Sequence, residues 1–181
     1  ITRAAGGPIR VEGGSLVTPG LRVALTGAVD GAAVEAELAL TLPQAGLVAP
    51  GLEGPASIGG TLARRADGHL TADLAASAPG TRATLTAEGT LDGAGLQGDL
   101  VLSATDLAPF SRLAGRPLGG AVDITARGTV VPANGSLDLA IGATTRNLDP
   151  GNATLARLLA GSGTVTAQVE RDPSGTILLR D

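Results

Sequence analysis

The chain has no Cys, Met, Trp or Tyr, and its 181 residues include one Phe (Phe110) and one His (His69). Without Cys there are no disulfides, thiolate nucleophiles or zinc thiolates, and this fits a bacterial or periplasmic setting. The acids are scattered, so no metal-spaced cluster, nucleophile–base pair or phosphate loop can be assembled. The chain is therefore read as non-enzymatic, with no cofactor. His69 follows Asp67-Gly68 and is expected to be an exposed hairpin residue. Arg64-Arg65 could touch a phosphate, but two basic residues near a turn are commonplace, and the plain reading is a solvated pair. A net charge of −4 and a pI near 4.9 leave no basic patch for nucleic acid. No run of about 20 apolar residues is present to cross a membrane as a helix. The missing initiator Met suggests a segment of a longer protein.

What remains is aliphatic. Apolar residues make up 43% of the sequence, almost all Leu, Val, Ile and Ala, and they alternate with polar residues. From Leu118 to Val130 one parity carries Leu118, Val122, Ile124, Ala126 and Val130, the other Asp123, Thr125, Arg127 and Thr129. A second run sets Leu137, Leu139, Ile141 and Ala143 against Ser136, Asp138 and Thr144. Alternation of period two marks strands with one buried and one wet face. Asn134-Gly135 between the runs predicts a hairpin with a type I′ turn. Earlier, Leu21–Leu25 and Val34–Leu42 form a hairpin around Asp30-Gly31. A meander follows over 58–65, 70–77, 83–91 and 96–105, turning at Asp67-Gly68, Pro79-Gly80 and Asp92-Gly93. Ile1 to Gly14 reads as ragged, with one short strand at Ile9 and Val11, and 43–55 as a crossing loop.

Two segments break this pattern. Asp106 to Gly115 is expected to form about two helical turns, with Asp106 as cap and Gly115 as stop. Asn152 to Gly161 has an N-cap Asn, helically spaced Leu155, Leu158 and Leu159, and a terminal Gly. The segment 106–148 is a unit of cap plus hairpin, and looser copies follow and precede it. Asn147-Leu148-Asp149-Pro150 echoes Asp106-Leu107-Ala108-Pro109, and Ile58-Gly59-Gly60 echoes Leu118-Gly119-Gly120, read as a break. The expected sub-modules are residues 1–45, 46–105, 106–146 and 147–181. Asn134 and Asn152 each open a glycosylation acceptor pattern, but a turn and a helix start account for them.

The expected fold is all-β: a curved antiparallel sheet of about ten strands, a half-open trough built from hairpin repeats, with one or two short helices at the sheet end. One face of such a sheet covers on the order of 1,500 Å², against about 300–600 Å² for the largest apolar patch of a typical monomer. Either the sheet folds over on itself, or it stays open around something apolar. A lining of Ala and Leu with almost no aromatic bulk fills a wide interior poorly. The expected lining is Leu38, Leu40, Leu62, Leu74, Leu85, Leu100, Leu102, Val122, Ile124, Leu137, Leu139, Ile141, Val165 and Val169.

The segments Asp106-Leu107-Ala108-Pro109-Phe110-Ser111-Arg112-Leu113-Ala114-Gly115-Arg116-Pro117-Leu118-Gly119-Gly120 and Thr154-Leu155-Ala156-Arg157-Leu158-Leu159-Ala160-Gly161 resemble the translocation and assembly module TamB family, which belongs with the AsmA-like proteins of Gram-negative bacteria. The similarity runs from about residue 46 and is strongest from 95 to 171. It implies a periplasmic β-structure of an inner-membrane-anchored protein, whose apolar groove carries phospholipid acyl chains towards the outer membrane. It also implies a link to outer-membrane protein assembly with the partner TamA, through regions outside this sequence. Two other readings are a structural spacer with a self-filled core and a chaperone groove for outer-membrane protein strands.

Overall fold

The structure, a computed structural model, describes residues 2, 3, 7, 9–47, 49, 51–91 and 95–180. Twelve strands form a single sheet whose spatial order is the chain order: β1 (Thr2–Arg3), β2 (Ile9–Thr18), β3 (Leu21–Asp30), β4 (Ala33–Leu42), β5 (Ala56–Arg64), β6 (Leu70–Ala78), β7 (Thr81–Gly89), β8 (Leu96–Ala104), β9 (Gly119–Val131), β10 (Ser136–Asp149), β11 (Ser162–Arg171) and β12 (Ile177–Arg180). Every pairing is antiparallel, and β1 and β12 stand at opposite edges of an open sheet. The expected all-β trough is therefore the architecture found, with two more strands than the rough count. The first strands correct the sequence reading: β2 is a full strand reaching Thr18, with a register shift between Val11 and Gly14.

The two ends of the sheet differ. One end carries the short hairpin turns after β3, β5, β9 and β11. The Asp92-Gly93 turn lies outside the described residues. The other end carries, besides the tight turns after β2 and β6, the three long connections and with them every helical insertion among the described residues: a 3-10 turn at Ala45–Leu47, another at Ala108–Phe110 leading into α1 (Ser111–Ala114), and α2 (Ala153–Leu158). Asp106 Oδ1 accepts from Ala108 N at 2.8 Å, and Gly115 ends α1 with φ 65°. Asn152 Oδ1 accepts from Thr154 N and Leu155 N, the predicted N-cap.

Neighbouring caps meet. A Cβ at Gly51 would lie 2.9 Å from the Arg112 side chain, and one at Gly151 would lie 2.6 Å from the Pro117 carbonyl. The buried apolar residues Ala45 and Ala104 (each 2% exposed), Leu52 and Ala121 all belong to this capped end. These four are the only buried apolar residues among the described residues.

Three local expectations change. The Asn134-Gly135 hairpin is a four-residue loop, 132–135, between Val131 and Ser136, and only Gly135 (φ 70°) is left-handed, so it is not a type I′ turn. Asn134 Oδ1 instead accepts from Ser136 N and Ser136 Oγ, which holds the loop from its side chain. Gly119-Gly120 does not break a strand but opens β9, while Gly59-Gly60 lies within β5, inside the strand expected there. The module boundaries at 46 and 106 fall in crossing segments, whereas that at 147 falls within β10.

Gly60 and Gly128 explain why glycine sits inside strands. Their φ angles are 147° and 159°, and a Cβ would collide with the carbonyls of Asp73 and Asp138 on the adjacent strands. Such kinks let a neighbouring backbone approach closely and bend the sheet.

Candidate functional site

Residues directly opposite in register share a face, so the pairing traces each face across the sheet. One row runs Leu25, Leu38, Gly60, Leu74, Leu85, Leu100, Ala126, Ile141, Ala167 from β3 to β11. A second, from β3 to β11, runs Val23, Leu40, Ile58, Ala76, Ala83, Leu102, Ile124, Ala143, Val165. A third runs Ala36, Leu62, Ala72, Ala87, Gly98, Gly128, Leu139, Val169. Nearest the caps come Thr81, Ala104, Val122 and Thr145. Nearest the hairpin turns come Val34, Arg64, Leu70, Gly89, Leu96, Val130, Leu137 and Arg171.

All the lining residues expected from the sequence lie in these five rows, on one face. Leu70 and Leu96, inward by their parity, join this face, and Ile58 with the β3 residues Val23 and Leu25 extends it beyond the predicted lining.

Among the described residues no second layer lies on that face. Leu62 remains 44% exposed and Val165 62% exposed, and no large side chain is fully buried among the described residues. The accessible surface of 11,313 Å² compares with about 7,900 Å² for a compact monomer of this mass. The excess is what an open sheet exposes and a closed sandwich would hide.

The opposite face is polar. Across it run Asp99–Arg127, Asp123–Arg146 (2.9 Å) and Glu170–Arg180 (2.9 Å) ion pairs, a Ser57–Ser77 hydroxyl pair (2.8 Å) and a Gln168–Asp138 bond (3.0 Å). Asp123 accepts from Ser103 Oγ at 2.5 Å. That bond is the main cause holding its carboxyl below the ordinary range, with Arg146 adding to it against partial desolvation. Asp172, in the β11–β12 turn, is lowered chiefly by the Ser174 hydroxyl and then by the Thr176 backbone N–H.

Within the apolar face a depression of about 450 Å³ spans β4 to β8, lined by Val34, Ala36, Leu62, Leu70, Ala72, Ala87 and Leu96 with Arg64 at its border. Its size is that of a small-molecule pocket, and the predominance of apolar lining over two polar residues, Arg64 and Thr71, is the usual composition of such sites. Protein-family models, curated proteins and solved structures contain no match to this chain.

The sequence reading set Arg64 aside as one of a solvated basic pair and did not single out Arg171. Arg64 and Arg171 are the only charged residues in the register rows of the apolar face. Arg64 Nη1 donates to Ala32 O at 3.2 Å and Arg171 Nη1 donates to Gly135 O, each the carbonyl of a nearby hairpin turn. The signal was available, since Arg64 has the parity of Ile58 and Leu62. His69 is half-buried rather than exposed, its backbone N–H bonded to Asp67 Oδ1 at 3.0 Å. Asn134 and Asn152 both serve their own backbone, as expected. Among the described residues no group of His, Cys, Asp or Glu could hold a metal ion, and no helix is long and apolar enough to cross a membrane.

Proposed function

We propose that the apolar face is a groove for lipid acyl chains, and that the chain is a TamB-like segment shielding phospholipid tails during passage between inner and outer membranes. The observation that carries this reading is a continuous apolar face from β3 to β11 with no layer of the described residues upon it, backed by a polar face of cross-strand ion pairs. A face so sharply divided needs an apolar occupant as well as water. Leu, Val, Ile and Ala offer burial worth about 25 cal/mol per Å² that has no direction, so a tail is held without being pinned. Headgroups stay at the wet opening. The periplasmic setting and the link to TamA follow from the resemblance in 106–120 and 154–161, and form part of the proposal.

The test is native mass spectrometry of the chain purified under mild conditions after secretion. Phospholipid retained by the wild type and lost in Leu139→Arg or Val122→Asp, with circular dichroism unchanged, supports the groove. A well-folded, lipid-free monomer that also rejects added phospholipid sinks it and favours a spacer. Displacement by a strand peptide, with no response to lipid, favours the chaperone reading.

A further inference from the structure

We infer that Arg64 is a headgroup site: its guanidinium holds the phosphate of a phospholipid whose acyl chain lies in the β4–β8 depression. This rests on the groove reading above and adds to it a fixed position and a chemical preference.

Three observations converge on it. First, charge is segregated by face. Glu35, Glu37, Asp73, Glu88 and Asp99, the acids of β4, β6, β7 and β8, all pair in the polar-face register, so no strand carboxylate faces the depression beside Arg64. A guanidinium on an otherwise apolar face, without an acidic partner, is an electrostatic vacancy for an anion.

Second, the guanidinium is positioned but not used up. Its one bond to protein is Nη1 to the Ala32 carbonyl, in the turn between β3 and β4. A guanidinium has five N–H donors in a planar fork suited to phosphate oxygens, so four remain. That bond draws the head to the hairpin end while the stem lies along the depression, the snorkelling geometry of a basic side chain at an apolar–water boundary.

Third, the dimensions suit an amphiphile. From β4 to β8 are four inter-strand steps of about 4.8 Å, roughly 19 Å in all, against about 15 Å for half of a bilayer hydrocarbon core. Free phosphate would have no use for that apolar length. A lipid with a phosphate at one end fits both parts. Arg171 occupies the same row six strands away, but Glu170 and Asp172 adjoin it in sequence and line the same depression, which leaves Arg64 the cleaner anion site.

The test offers the full chain vesicles containing equal amounts of phosphatidylglycerol and of diacylglycerol with the same acyl chains, then measures the ratio retained by native mass spectrometry. The wild type should prefer phosphatidylglycerol. Arg64→Gln should lower that preference about threefold to fivefold, the scale of one exposed charged contact. Total retained lipid should stay near normal, Arg64→Lys should keep part of the preference, and Arg82→Gln, on the polar face, should keep all of it. An unchanged ratio in Arg64→Gln, or an equal fall in Arg82→Gln, overturns the headgroup site and leaves the groove standing. Failure of the wild type to retain either lipid overturns the groove and the site together.

Discussion

Asn147 and Gly161 hold each other across the mouth of the last crossing segment. The Asn147 N–H donates to the Gly161 carbonyl at 2.6 Å, and the Gly161 N–H donates to Asn147 Oδ1 at 3.0 Å. To make both bonds Asn147 adopts φ 46°, the one left-handed non-glycine among the described residues. Asn tolerates this conformation best, because its short side chain can bond locally. Asn147→Ala loses the side-chain bond and keeps the strain, and should cost about 2 kcal/mol. Asn147→Gly relieves the strain but not the lost bond, and should cost about 1 kcal/mol. Urea denaturation of the three proteins checks this ordering; equal midpoints would mean that the pair does not tie down the cap.

Gly60 and Gly31 separate conformational strain from collision. Both have positive φ, 147° and 57°, but a Cβ at Gly31 meets nothing within 4 Å whereas one at Gly60 runs into the Asp73 carbonyl. Gly31→Ala should cost about 1 kcal/mol, the price of a left-handed alanine. Gly60→Ala must also push β5 and β6 apart, and should cost about 2–4 kcal/mol. Thermal melts of both variants decide it. A Gly60→Ala protein no less stable than Gly31→Ala would show that the strands separate easily at this kink.

Strand alternation made most of this architecture legible in the sequence. Leu70, Leu74, Leu85 and Leu100 stand on the face their parity assigns them, because a one-residue slip would turn every side chain of a strand over. The Asn152 cap was legible for a similar reason, since its side chain has one local task. Parity alone does not report where the chain departs from ideal pairing. Gly120 looked like a break because glycine usually punctuates, yet like Gly60 it is a place of close backbone approach inside a strand. Asn134-Gly135 pointed to a two-residue turn, but Pro132 and Ala133 join the loop and the Asn side chain stabilises the wider form. Arg64 was set aside because a basic pair near a turn was assigned to solvent before its parity was considered.

Asp123 gives the polar face a pH signature. Its folded pKa is depressed, mainly by the Ser103 hydroxyl and then by Arg146. A depressed carboxylate stabilises the fold above its unfolded value of about 3.9, and that contribution is lost as pH falls through the lower folded value. Ser103→Ala should therefore raise the Asp123 pKa towards the ordinary range, read from the side-chain carboxyl carbon by NMR titration. The acid-unfolding midpoint should move to higher pH by a small amount, since both groups are partly solvated. An unmoved titration would assign the depression to Arg146 instead.

Thr84 and Leu85 are adjacent on β7 and face opposite ways, so they test the division of the sheet within one strand. Thr84 pairs with Ala75 and Val101 on the polar side, while Leu85 pairs with Leu74 and Leu100 in the apolar row. Thr84→Asp adds a charge to a solvated surface and should change stability by no more than about 0.5 kcal/mol. Leu85→Asp puts the same charge in the middle of the apolar face. Because Leu85 is already 37% exposed, the fold should survive. The variant should bind far less anilinonaphthalene sulfonate, a dye that reports exposed apolar surface, and retain less phospholipid. Near-UV silence is expected of a chain with one aromatic residue, so far-UV circular dichroism must establish that both variants are folded. Equal dye binding by the two variants would mean that the apolar face is not the surface that takes up apolar molecules, and the lipid groove would fall with it.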